Sequence, residues 1–160
     1  HTSHSSAAAA PLWNKEAGPR VYQTYASSTL QSAPGQPDGA SKLCLSCHDG
    51  TVAVGKIRNP DRTFSMAGSV GGLMSGDSNL GTDLSDDHPV SFIPVTGDEL
   101  VHPSMHDMVR YDASGKIQCT TCHDSHNDLN GKFLVRTDLN GHRRATEDRL
   151  AGNEAFGGFR

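Results

Sequence analysis

Leu100, Met105, Met108 and Val109 stand at helical spacing interrupted by Pro103, and predict a short helix over about 104–111. Val90 to Val95 is the best strand pattern in the chain, but Pro89 and Pro94 restrict it to an edge or a short extended piece. Phe133 to Val135 is an apolar segment bracketed by two copies of Asp-Leu-Asn-Gly, at Asp128 to Gly131 and Asp138 to Gly141. Each copy reads as a tight turn, because Asn-Gly tolerates positive φ at modest cost. Thr146 to Ala151 predicts one or two helical turns with Thr146 as N-cap.

Between these elements the pattern is polar and broken. Residues 1–40 are small, polar and interrupted by Pro, Gly and Ser, and read as an extended N-terminal arm. From Val52 to Leu84, Gly68, Gly71, Gly72, Gly76 and Gly81 lie too close together for a long helix. The predicted fold is mostly irregular, with a few short α-helices and minimal β. Its organisation is an arm at 1–40, a core at 41–136 and a C-terminal segment at 137–160.

Composition raises the question of what such a chain packs against. Only 34 % of residues are hydrophobic, with 17 Gly and 8 Pro among the 160, so a core made of protein alone would be thin. No run of about 18 apolar residues occurs, which predicts no transmembrane segment. The formal net charge of -4 and the absence of clustered Lys and Arg argue against nucleic acid as a partner.

The four cysteines supply the missing chemistry. They form two identical frames, Cys44-Leu45-Ser46-Cys47-His48 and Cys119-Thr120-Thr121-Cys122-His123, with none left over. C-x-x-C-H is the spacing in which two thiols add across the vinyl groups of one porphyrin while the following histidine binds its iron. Four thiolates also suit a structural zinc, and a C-x-x-C pair suits a redox dithiol or a disulfide framework. None of those needs a histidine directly after the second cysteine, and here it occurs twice. The expectation is two covalently bound haem c groups, whose apolar faces complete the core and without which the chain does not fold.

Each iron then lacks one axial ligand beyond His48 or His123. Seven further histidines are available: His1, His4, His88, His102, His106, His126 and His142. The four methionines, Met66, Met74, Met105 and Met108, all precede the second frame, so histidine is favoured at both irons and packing is the expected role of the methionines. His126 is the strongest candidate, three residues after His123 and expected within one helical turn of it. His88 follows, held by the stiff step to Pro89 after Asp86 and Asp87, with a turn histidine bonded to those aspartates as the alternative. His102, His106 and His142 individually read as surface or supporting residues. Asp77, Asn79, Asp83, Asp86 and Asp87 do not match the spacing of a calcium loop and read as solvated loop acids.

From Cys44 through Asp49-Gly50-Thr51, then Asp86-Asp87-His88-Pro89-Val90-Ser91-Phe92, then Cys119 through Asp124-Ser125-His126-Asn127, the chain resembles the doubled C-x-x-C-H multihaem c-type cytochromes. The likeness covers about residues 41 to 136. Members commonly carry a further C-x-x-C-H after the segment matching Lys132 to Arg136, and Thr137 to Arg160 has no cysteine. The resemblance implies a compact multihaem cytochrome c fold around two haems, with His88 and His126 as distal ligands. It implies electron transfer without a catalytic residue, and redox proteins or extracellular electron acceptors as partners.

Two forms of electron transfer follow as expectations. One is a subunit of an extracellular polymer, in which the arm lies on a neighbouring subunit and His1 or His4 completes a haem there. The other is a soluble periplasmic shuttle, with the arm on its own haem. A dihaem oxidoreductase with one open haem site is the enzymatic rival. Haem is attached to such motifs outside the cytoplasm, so an exported protein is expected, extracellular or periplasmic, with its export sequence already removed.

Overall fold

The computed structural model describes residues 13–15, 20–28, 30–95 and 110–135. The helical predictions at 104–111 and 146–151, the second Asp-Leu-Asn-Gly copy, and His1, His4, His102, His106 and His142 lie outside them, apart from residues 110 and 111, which are not helical.

Helix α1 is Gly39–His48 and carries the first C-x-x-C-H frame. Ala40, Lys42, Leu43 and Leu45 are good helix formers, and Pro37 and Asp38 lead in from extended backbone. The helix ends where Gly50 turns to φ 66°, a left-handed conformation open to glycine at little cost. A Cβ there would lie 2.4 Å from Asn79 Oδ1, so the same glycine also admits a close approach of the 76–81 segment. Helix α2, Cys119–Cys122, is one turn carrying the second frame. Thr121 Oγ1 accepts a hydrogen bond from the Gln118 N–H at 2.9 Å and closes its start.

Strands β1, Lys56–Ile57, and β2, Arg62–Thr63, form a minimal antiparallel hairpin, with Lys56 opposite Thr63 and Ile57 opposite Arg62. Gly76–Ser78 is a single 3-10 turn. The stretch 52–84 therefore contains no long helix, as its glycines predict. Val90 to Val95 makes one antiparallel bridge, Phe92 to Ile117, rather than a strand. Pro89 and Pro94 lack the N–H a ladder needs, and Ser91 at φ 61° breaks the extension between them.

The described residues before α1 have no helix or strand and contact later segments of the chain, and the arm predicted over 1–40 ends in the first two residues of α1. Asn14 accepts from the Arg58 and Asn59 N–H groups and donates to the Asn59 carbonyl, which ties it to the hairpin connection. Gln23 bridges in parallel to Asp83. Tyr22 then packs with Leu45 of α1 and Leu84, forming the one cluster of buried apolar residues among the described residues. Phe92 and Ile117 are the other buried hydrophobics there. At about 1.5–3 kcal/mol for each large apolar side chain, five such residues make a small core.

Candidate functional site

The two frames meet. Helices α1 and α2 pack together, which places Cys44 and Cys119 beside each other. The proximity of Cys119, aided by burial, raises the Cys44 pKa, and that of Cys44 lowers the Cys119 pKa against its own burial. Burial raises Cys122, with the neighbouring Cys119 adding to it. All four cysteines are partly buried free thiols. Among the described residues, no three or more His, Cys, Asp or Glu side chains gather as a metal-ion site, so the four sulfurs do not converge on a zinc-like centre.

Both frame histidines are oriented in the same way. His48 Nδ1 lies 2.8 Å from the Ser78 carbonyl and His123 Nδ1 lies 2.8 Å from the Lys132 carbonyl. A carbonyl oxygen can only accept, so in each neutral ring Nδ1 carries the proton and Nε2 keeps its lone pair. Hydrogen bonding at the second nitrogen is the usual way a protein fixes the tautomer and direction of a metal-binding imidazole.

Each anchoring carbonyl is held by a loop that returns to its helix. Leu80 N–H donates to the His48 carbonyl at 2.7 Å, which seats Ser78 over the first histidine. On the second, Asp124 N–H donates to Phe133 O at 2.7 Å and Val135 N–H to Cys122 O at 3.0 Å. Lys132 and Phe133 both take left-handed backbone, at φ 52° and 58°, a conformation unfavourable for these side chains. Phe133 N–H on Asp128 Oδ1 at 2.7 Å helps to hold it. Asp128 to Gly131 forms the turn its sequence predicts, with Gly131 at φ 73°.

The residue after each histidine is aspartate, and the two are treated differently. Asp49 is fully buried: Arg20 Nε and the Tyr22 hydroxyl meet Oδ2 at 3.0 and 2.9 Å, and the Thr51 N–H and hydroxyl meet Oδ1. Burial, then the hydrogen bond to this carboxylate, pushes the Tyr22 phenol up to about 12. Asp124 is exposed and accepts from the His126 N–H.

Of the distal candidates, His88 is exposed, and its Nδ1 lies 3.0 Å from the Pro89 carbonyl, which leaves Nε2 as the lone-pair nitrogen. Its partner is that carbonyl rather than Asp86 or Asp87. Burial, with Asp86 and Asp83 beside it, raises the Asp87 pKa. His126 is largely exposed, with Nδ1 3.5 Å from Asp124 Oδ1. It does not share a helical turn with His123: α2 ends at Cys122, His123 is extended, and His126 sits in the turn from Asp124 to Asn127.

The residues present fit a large apolar group attached at both frames. Among the described residues Phe64, Met66, Val70, Leu73, Leu80, Ile93 and Phe133 are exposed while only five hydrophobics are buried, an apolar excess that a large apolar group would help to cover. Sulfur pairs and pre-aligned imidazoles are the donors such a group requires. Neither models of known protein families nor curated proteins give a match to this chain.

Sequence reasoning passes over Gln118, Ser41, Ser91, Arg20 and Tyr22. Nothing in their type or spacing distinguishes them, since their roles come from contacts between distant segments.

Proposed function

We propose that this protein is a dihaem c-type cytochrome that transfers electrons, with one haem on Cys44, Cys47 and His48 and the other on Cys119, Cys122 and His123. The observation that carries the reading is the pair of Nδ1 to carbonyl hydrogen bonds at His48 and His123, both 2.8 Å, which leave Nε2 of each motif histidine ready for iron. When bound, haem supplies a reversible one-electron change at its iron.

The chain's part is to hold and orient. Four cysteines fix the groups covalently, and His48 and His123 present Nε2. His88, with its Nδ1 on Pro89 O, and His126 would supply the remaining ligands to the two irons. With both positions filled by histidine no coordination site stays vacant, so the protein carries electrons rather than turning over a substrate. Haem attachment to such motifs takes place outside the cytoplasm, so the reading includes an exported location. Among the described residues no helix is long and apolar enough to cross a membrane.

The test is the visible spectrum of the native protein. A sharp reduced α-band that survives acid acetone, with a mass corresponding to two haems, is the expected result. A colourless protein of unmodified mass overturns the proposal.

A further inference from the structure

Gln118, directly before Cys119, is 2 % exposed and bonds to four residues elsewhere in the chain, Asp38, Ser41, Ser91 and Asp112. Its Oε1 accepts from the Ser41 hydroxyl at 2.6 Å, the Ser41 N–H at 3.2 Å and the Ser91 hydroxyl at 3.1 Å. Its Nε2 donates to Asp38 Oδ1 at 3.0 Å and Asp112 Oδ2 at 2.9 Å. These partners fix the amide orientation, because hydroxyls face the oxygen and carboxylates face the nitrogen.

The network joins one frame to the other. Ser41 lies three residues before Cys44, is wholly buried, and its hydroxyl also accepts the Cys119 N–H at 3.0 Å. Asp38 precedes α1, and its N–H donates to the Ser91 hydroxyl at 3.0 Å. Lys116 pairs with Asp38 and closes the outer side. A fully satisfied buried polar network is rigid and specific, since any displacement leaves a donor or acceptor unpaired. The contact between Cys44 and Cys119 sits directly against it.

We propose that Gln118 is a positioning residue that locks the two C-x-x-C-H helices together and so sets the electronic interaction between the two redox centres. The inference rests on the dihaem reading. It adds that the spacing of the centres is imposed by a protein clamp rather than by the groups themselves.

The test uses the full chain with its haems attached, as wild type, Gln118→Met and Ser41→Ala. Methionine keeps the volume of Gln118 and removes its hydrogen bonds. Both variants retain all attachment residues and are expected to carry two haems with unchanged ligand spectra. The bisignate Soret circular dichroism of an interacting haem pair is expected to lose about half its amplitude or more, because groups whose support is loosened shift by about 1 Å. The separation between the two reduction steps is expected to change with it. Variants that hold two haems and keep the wild-type couplet and potentials overturn the inference, as does a dihaem wild type with no couplet. A wild type without haem overturns the dihaem reading instead.

Hydrogen exchange of the dihaem wild type tests the clamp without relying on the folding of either variant. The Ser41 and Cys119 amides are expected among the slowest in the chain, and fast exchange at both overturns the clamp.

Discussion

The Tyr22 hydroxyl donates to Asp49 Oδ2 at 2.9 Å, which binds a residue of the N-terminal segment to the carboxylate immediately after His48. Arg20 reaches the same oxygen, so this segment closes one side of the first frame. The raised Tyr22 phenol is neutral in the folded protein well past the ordinary tyrosine value. Its folded pKa lies above its unfolded one, so its contribution to stability is complete below pH 10 and is lost as pH rises through about 12. Carbon-13 NMR of the tyrosine rings is expected to show Tyr22 titrating near the top of that range. Tyr22→Phe is expected to lose about 1.5–3 kcal/mol of stability in denaturant titration, the worth of a hydrogen bond to a charged group.

Asp38 and Asp112 act in the opposite direction. The hydrogen bond from Lys116, followed by that from Gln118, lowers the Asp38 pKa, and the Lys116 N–H, then Gln118, lowers that of Asp112. Their stabilising effect is present above the usual carboxylate value of 3.8 and disappears as pH falls below it through their folded values. Thermal melts between pH 6 and about pH 2 should therefore fall more steeply for wild type than for Asp38→Asn, and parallel curves would contradict the role given to Asp38.

Gly50→Ala tests the junction after His48. Left-handed backbone costs a residue with a Cβ about 1–2 kcal/mol, and the added carbon meets the Asn79 side chain. Loss of stability of that order or more is expected, with, on the dihaem proposal, a perturbed spectrum at the first frame, because Asn79 adjoins the Ser78 carbonyl that anchors His48. An unchanged melt and spectrum would contradict this role for Gly50.

On the dihaem proposal, His88→Ala and His126→Ala are each expected to open one iron. In the wild type, reduced protein should bind no carbon monoxide, and each reduced variant should show a high-spin signature that disappears as it binds one equivalent per chain. Tight binding by wild type would favour the enzymatic reading.

A chain with all four cysteines changed to serine is expected to lose its folded far-ultraviolet circular dichroism, since five buried hydrophobics among the described residues give a small core. A spectrum matching the dihaem protein would show that the polypeptide folds without help.

The two frames are readable in the sequence because their signal is local: sulfur and imidazole at fixed spacing need no knowledge of the fold. The broken pattern of 52–84 is legible for the same reason, since closely spaced glycines act within their own segment. Val90 to Val95 reads as a strand because its residue types suit one, whereas Ser91 is held left-handed by contacts that come from Gln118 and Asp38. The spacing of His126 predicts a helical turn shared with His123, but the bond from Asp124 N to Phe133 O draws the chain into a loop there. The clamp itself spans 80 positions between Asp38 and Gln118, and no periodicity reaches so far.

Both oxygens that aim the motif histidines belong to the main chain. Replacing the side chain of Ser78 or Lys132 leaves the carbonyl where it was, so ligand direction is shielded from most point substitutions at the two residues responsible for it. It is exposed instead to changes in loop length. Inserting or deleting one residue between 50 and 77, or between 124 and 131, is expected to shift a carbonyl out of register with its ring.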